Sequence, residues 1–200
     1  MRPRLLDLFC GAGGAAMGYH RAGFDVVGVD IRPQPRYPFE FVQADALTFP
    51  LGGFDAIHAS PPCQHYANVT RWKGNQDGHP DLIWPMRARL ESAEALYVIE
   101  NVRTRQLRAD YMLCGTALGR FRRHRHFETN WSGTVMATPC NHRSSDFSFD
   151  HGAKQQESVY RDSLGCGWMT VKESRQAIPP AYTEHIGAQL LDWLAGEEDK

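Results

Sequence analysis

The 200-residue chain is 42% hydrophobic and 22% charged, the balance of a globular protein with one core and room for a small appendage. No apolar run reaches the roughly 18 residues that a membrane span needs, and Met1-Arg-Pro-Arg4 leads straight into an apolar segment, so neither membrane span nor signal peptide is expected. Five widely spaced cysteines argue against a secreted disulfide framework and for a reducing cytoplasm, while a net charge of -1 neither demands nor excludes a polyanionic partner.

Arg4 to Phe9 is an apolar run that ends in the glycine-rich turn Cys10-Gly-Ala-Gly-Gly14, and Ala15 to Ala22 reads as a helix stopped by Gly23. Asp25 to Asp30 gives a second strand with an acidic end, and Phe39 to Gln43 a short third before Asp45. Phe54 to Ser60 is a fourth strand, halted by Pro61-Pro62 immediately before Cys63. The next stretch, 64–79, is polar and reads as flexible. Asp81 to Ala95 is predicted helical despite Pro85, and Leu96 to Asn101 is a strand. A further strand is expected within Leu118 to Thr129. Residues 131–168 carry no clear periodicity and read as irregular. Pro179-Pro180 opens a last helix, Ala181 to Leu194, with Ile186, Leu190, Leu191 and Leu194 on one stripe. The alternation of strand and helix predicts an α/β fold with a mostly parallel, Rossmann-like sheet.

A glycine-rich turn between the first strand and helix lets backbone approach a ligand closely, and Asp30 and Asp45 stand where ribose hydroxyls are often held. Gly11, Gly13 and Gly14 alone are a weak signal, since tight turns need glycine anyway, and Asp30 could equally be a helix cap. A dinucleotide enzyme is the main competitor, but Ala16 stands where the third glycine of G-x-G-x-x-G belongs. Between Asn101 and Asn130 seven arginines face only Asp110 and Glu128, a candidate phosphate-facing surface or an ordinary solvated face.

Three motifs in order, Asp7-Leu-Phe-Cys-Gly-Ala-Gly-Gly14, Ser60-Pro-Pro-Cys-Gln64 and Glu100-Asn-Val102, resemble those of DNA cytosine-C5 methyltransferases. Arg123-His-Arg125 extends the match, and Gln176-Ala-Ile-Pro-Pro180 does so more loosely. The resemblance implies a class I S-adenosylmethionine-dependent methyltransferase of the small phage or bacterial orphan type. It gives Cys63 as the nucleophile at cytosine C6, Glu100 as the group on N3, and Arg125, supported by Arg123, near O2. S-adenosylmethionine is the implied cofactor, with Phe9, Asp30 and Asp45 at adenine and ribose and Gly11, Ala12, Gly13, Gly14, Ile31, Ala46 and Pro62 around them. The implied partner is DNA, either a duplex with the cytosine flipped out or a single strand.

The chemistry favours such a set, because cytosine C5 accepts a methyl group only after a nucleophile has added at C6. The implied organisation is a catalytic domain over 1–130, a much reduced target-recognition region over 131–168, and a closing segment over 169–200 whose helix lies beside the first strand. The pattern departs from the family where Gln64 is followed by His65-Tyr66 instead of Phe-Ser, where Phe121 replaces glutamine, and where Arg175-Gln176 replaces Gly-Asn. A tRNA or free-nucleotide cytosine methyltransferase, or a non-catalytic remnant, remains as an alternative.

No metal is expected. His124 and His126 alternate with arginines, whose charge disfavours a cation, and Cys140-Asn-His142 lacks a second close pair in the sequence.

Overall fold

Leu, Val and Ile dominate the first, second and fifth strands, interrupted only by Asp7, Gly28 and Tyr97 before the polar ends, and nearly every residue of these strands is buried, as in strands covered on both faces. The computed structural model describes residues 1–67, 70, 72, 74, 78–108, 110–118, 121–131, 139–143, 147–148 and 157–198. The strands are Arg4–Leu8 (β1), Asp25–Asp30 (β2), Glu40–Gln43 (β3), Ala56–Ala59 (β4), Leu96–Asn101 (β5), Tyr111–Cys114 (β6), Phe121–Arg122 (β7), His124–Thr129 (β8) and Phe147–Ser148 (β9). The helices are Gly14–Ala22 (α1), Ile83–Glu91 (α2), Gly115–Leu118 (α3), Glu157–Leu164 (α4), Val171–Gln176 (α5) and Pro180–Glu198 (α6), with a 3-10 turn at Cys63–His65.

Seven strands form one sheet in the order β3-β2-β1-β4-β5-β8-β6. Pairing is parallel from β3 to β5, after which β8 runs antiparallel to both β5 and β6. The chain winds outward one way from β1 and the other way from β4. A ligand crevice is therefore expected beyond the carboxyl ends of these two central strands. Successive residues of β1 serve opposite faces. Leu5 joins Tyr19, Phe24, Tyr182, Ile186 and Leu190 on one side, and Leu6 joins Ile57, Met86, Leu90 and Ile99 on the other.

The α/β expectation holds, with instructive differences. The helix expected over 81–95 shrinks to α2, and Pro85 falls in its first turn, where a missing N–H costs nothing. The last helix was expected beside β1; its Tyr182, Ile186 and Leu190 share the Leu5 face of that strand, and it lies directly against α1. Thr183 Oγ1 donates to Ala15 O at 2.8 Å, and a Cβ on Gly18 would lie 2.1 Å from Pro180 O, so the two backbones touch. Strand β6 and helices α3 and α5 were not foreseen. Helix α4 lies within the stretch read as irregular, and its Tyr160 and Leu164, one turn apart, are both buried. The expectation of a flexible 64–79 falls partly outside the described residues, as do 132–138, 144–146 and 149–156 of the central stretch. Among the described residues no helix is long and apolar enough to cross a membrane.

The antiparallel edge is tied to the rest by charge. Glu128 on β8 is fully buried and accepts from Arg87 Nε and Nη2 of α2, both at 2.6 Å, and from the Arg108 N–H at 2.8 Å.

Candidate active site

Two turns leave the centre of the sheet together, because register pairs Leu8 with Ala59 and Ser60 N donates to Leu8 O at 3.2 Å. One is the glycine-rich turn after β1. The other is Pro61-Pro62-Cys63, where two prolines end β4 and Cys63 begins the 3-10 turn, its carbonyl accepting from Tyr66 and Ala67. From the end of β5, the buried Asn101 reaches this second turn. Its Nδ2 donates to Pro61 O at 2.8 Å while its Oδ1 accepts from Val102 N at 2.9 Å. Glu100-Asn-Val102 and Pro61-Pro-Cys63 are thus one mechanical unit, and Asn101 fixes where Cys63 stands.

Glu100, on β5, has a side chain only 4% exposed, and Arg125 Nε of β8 lies 2.9 Å from its Oε1. The approach is not aligned for a hydrogen bond, so the contact is ionic. Burial pushes the Glu100 carboxyl above its ordinary range, and Arg125, the Ser60 hydroxyl and Arg123 only partly offset it. Burial also raises the thiol of the half-buried Cys63. Arg125 and Arg123 draw it down while Glu100 draws it further up. The result is a thiol, a carboxyl biased toward its acid form and a guanidinium, held by three neighbouring strand ends. Such a set can deliver a nucleophile, donate a proton and stabilise developing negative charge.

Behind Glu100 lies a chain of hydrogen bonds that sequence reasoning missed. Tyr19 OH meets His58 Nδ1 at 2.9 Å, and His58 Nε2 meets Ser60 Oγ at 2.7 Å. Burial takes His58 down to about 3, so its ring is neutral and offers one donor and one acceptor. The available signal was a histidine inside an otherwise apolar strand. Asp7 was likewise given no role. Fully buried behind the glycine-rich turn, its carboxyl is raised to about 8 by burial first and by the charge of Asp30 second.

Arg123 is placed differently from Arg125. It is buried, its Nη2 donates to Arg175 O at 3.1 Å, and its carbonyl accepts from Gly115 N and from the Tyr182 hydroxyl. It anchors the start of β8 to the closing segment and acts on Cys63 and Glu100 through its field. Of the other arginines in this stretch, Arg108 is engaged with Glu128, while Arg103 and Arg105 are exposed.

The turn after β1 has the features of a nucleoside cradle. Phe9 holds φ at 59°, a left-handed conformation costly for a side chain of its size. Gly11 has φ +49° and no atom within 4 Å of where a Cβ would sit, so its surface faces open space. Gly14 differs, since a Cβ there would be 2.4 Å from Ile178 O; packing of the closing segment alone demands glycine. Gly13 sits against Tyr37 and Pro38.

Asp30 accepts from Gly11 N at 3.0 Å and Arg32 N at 2.9 Å, leaving lone pairs for hydroxyl donors, and beside it Ile31 is 65% exposed. Asp45 is exposed and accepts from Leu47 N at 2.9 Å. Ala12 and Ala46 are buried, their carbonyls taken by Trp168 Nε1 and Arg89 Nη1, and Pro62 is exposed beside Cys63. An apolar surface next to a carboxylate with spare acceptor capacity, reached over an open glycine, fits an adenosine moiety.

A family model described as C-5 cytosine-specific DNA methylase matches residues 3–109. No curated protein matches the chain. Among solved structures, the chain is similar to the Entamoeba histolytica methyltransferase EhMeth at 12% identity and a TM-score of 0.66, covering 97% of this chain and 99% of that one. It is similar to a prophage-encoded protein of E. coli described as a DNA modification methyltransferase at 20% identity, with a TM-score of 0.47, 62% of this chain and 45% of that one. For the Dnmt2 methyltransferase of S. pombe the figures are 16%, 0.47, 80% and 59%. The chain therefore spans less than half of the prophage protein and under two thirds of the S. pombe one. The fold is that of class I S-adenosylmethionine-dependent methyltransferases.

Proposed function

The chain belongs to the C-5 cytosine-specific DNA methylases, enzymes that methylate cytosine, and from that premise we propose that it acts on cytosine in DNA through a covalent bond between Cys63 Sγ and C6. The observation that carries this reading is the convergence of Cys63, Glu100 and Arg125, with Asn101 clamping the Pro61 turn.

Cys63, as thiolate, adds to C6 and drives electron density toward N3 and O2. Glu100, biased toward its acid form, donates to N3, and Arg125 faces the charge growing at O2. Ser60 and His58 hold the Glu100 carboxyl in place. S-adenosylmethionine, the cofactor that the family implies, supplies an electrophilic methyl group for the activated C5. Asp30 and Asp45 would accept from its hydroxyls and adenine amine, Gly11 would let it approach the backbone, and Phe9 and Ile31 would flank the base. Once the C5 proton has gone to a base, the Cys63 sulfur leaves by β-elimination and the ring recovers its aromaticity as 5-methylcytosine. Because C5 and C6 are covered in a stacked duplex, the cytosine is flipped out or presented single-stranded. Arg103 and Arg105 are exposed cations available to the phosphate backbone, and residues 131–168 stand in for a larger recognition domain.

The test is to incubate the full chain with methyl-labelled cofactor and, in parallel, duplex DNA, tRNA or dCMP. Label in DNA cytosine, abolished by Cys63→Ser, supports the proposal. Label in tRNA or dCMP alone moves the substrate, and label in DNA that survives Cys63→Ser removes the covalent mechanism.

A further inference from the structure

Cys114 and His124 stand directly opposite each other across the antiparallel pair β6–β8, where facing Cβ atoms are about 5 Å apart. Residues 139–143 cross over this pair. Cys140 Sγ lies 3.4 Å from His124 Nε2, and His142 Nε2 lies 3.3 Å from Cys114 Sγ. All four donor atoms fall within 4.8 Å of one another. We propose that Cys114, His124, Cys140 and His142 bind one zinc ion, which fastens residues 139–143 to the edge of the sheet.

The geometry supports a tetrahedral ion. With Zn–S near 2.3 Å and Zn–N near 2.0–2.1 Å, adjacent sulfur and nitrogen vertices are roughly 3.6 Å apart, close to both observed separations. Two thiols and two imidazoles complete the coordination with no open position, which is the composition of a structural site rather than a catalytic one. Charge is no obstacle. Two thiolates neutralise the dication, so Arg123 and Arg125, which flank His124, and Arg143, which follows His142, neighbour a site of zero net charge. Sequence reasoning discounted a metal because Cys140-Asn-His142 has no second pair nearby in the chain. The second pair is brought by strand pairing, which no local spacing reveals.

Energetics point the same way. Residues 139–143 are all exposed, and Pro-Cys-Asn-His-Arg has no large apolar side chain to bury. Ordering such a segment costs backbone entropy at every residue, and thiol–imidazole contacts with an Asn141 N–H bond to the Thr116 hydroxyl at 3.3 Å offset little of it. A structural zinc ion, held by four side chains, can supply the missing stabilisation because its binding free energy is folding free energy. His124 lies between Arg123 and Arg125, so the ion would also fix the start of the strand that carries Arg125.

The proposal does not depend on the methyl-transfer reading, and its test reads metal. The full chain, purified without chelator, should contain one zinc ion per molecule by elemental analysis. Replacing zinc with cobalt(II) should give the visible bands of tetrahedral cobalt and a near-ultraviolet thiolate charge-transfer band, and this measurement needs no variant. The C140S/H142A double variant, changed only at exposed positions, should lose nearly all of the metal, whereas Cys63→Ser should keep it. A chain without zinc, a cobalt complex lacking the thiolate band, retention of metal by the double variant, or a Cys114–Cys140 disulfide in freshly purified protein would each overturn the proposal.

Discussion

The parallel half of the sheet and its antiparallel edge are held by different physics. In β1, β2 and β5 the residues that fix each strand are Leu, Val and Ile, buried on both faces, and burial is non-directional. In β8 Phe127 joins the apolar core, but the polar residues of and just before this strand are placed by contacts that have direction. Glu128 binds Arg87 and Arg108, Arg123 holds Arg175 O, and Arg125 faces Glu100. The parallel half supplies the thiol and the carboxyl, and the edge supplies the cation. Small losses of apolar volume should therefore be tolerated in the first region, while single polar substitutions should be costly in the second.

The largest effect is expected at the join between the two regions. Arg87→Met leaves Glu128 buried without its bidentate partner, and should cost about 3–5 kcal/mol of stability, read by urea unfolding at neutral pH. Burial raises the Glu128 carboxyl, but bonds from Arg87 and Arg108 outweigh it and hold the group below its ordinary value. That contribution is present above the unfolded carboxyl value and is lost as pH falls through the folded one. The gap between the chain and its Arg87→Met variant should therefore narrow toward about pH 4. A gap that stays constant with pH would break the comparison.

Next comes Glu100→Gln, expected to lower kcat by about 10²–10³-fold and to change the shape of the pH profile. With Glu100 and Cys63 both raised, the proposed mechanism requires a form with Cys63 ionised and Glu100 protonated, so activity is expected to fall on the acid side as that form is lost and on the alkaline side as Glu100 gives up its proton. Glutamine cannot ionise, so the alkaline descent should vanish and the rate should climb to a plateau with the thiolate. An unchanged bell would remove Glu100 from the proton account.

Arg125→Lys keeps the charge but loses the planar fork, and should lower kcat by about 10–10²-fold with little change in unfolding. The smallest effect belongs to Asn101→Ala, which orphans the Pro61 carbonyl at a cost of about 1–3 kcal/mol and shifts the Cys63 turn. Its kcat should drop while cofactor affinity stays near that of the parent chain, since the glycine-rich turn is untouched. A loss confined to cofactor affinity would contradict the positioning role.

This same contrast decides what could be read from sequence. β1, β2 and β5 were legible because a cluster of Leu, Val and Ile is a local signal, and Pro61-Pro62 marked the end of β4 in the same way. Cys63, Glu100 and Arg125 were legible as motifs, and the structure brings them together. The role of Asn101 was not, because its partner is a carbonyl on another strand's turn. β6 was missed because four residues, Tyr-Met-Leu-Cys, between Asp110 and Gly115 form a strand only by pairing with β8. The nearness of Cys114 to His142 has the same origin, a contact between residues distant in the chain.

The covalent step is tested most directly by trapping. Duplex DNA carrying 5-fluorocytosine has no C5 proton to lose, so with cofactor present the chain should form a denaturation-resistant complex, and peptide mapping should find the modified base on Cys63. Absence of any complex with DNA that the enzyme otherwise methylates, or a complex mapped to another residue, would contradict the assignment of Cys63 as the nucleophile.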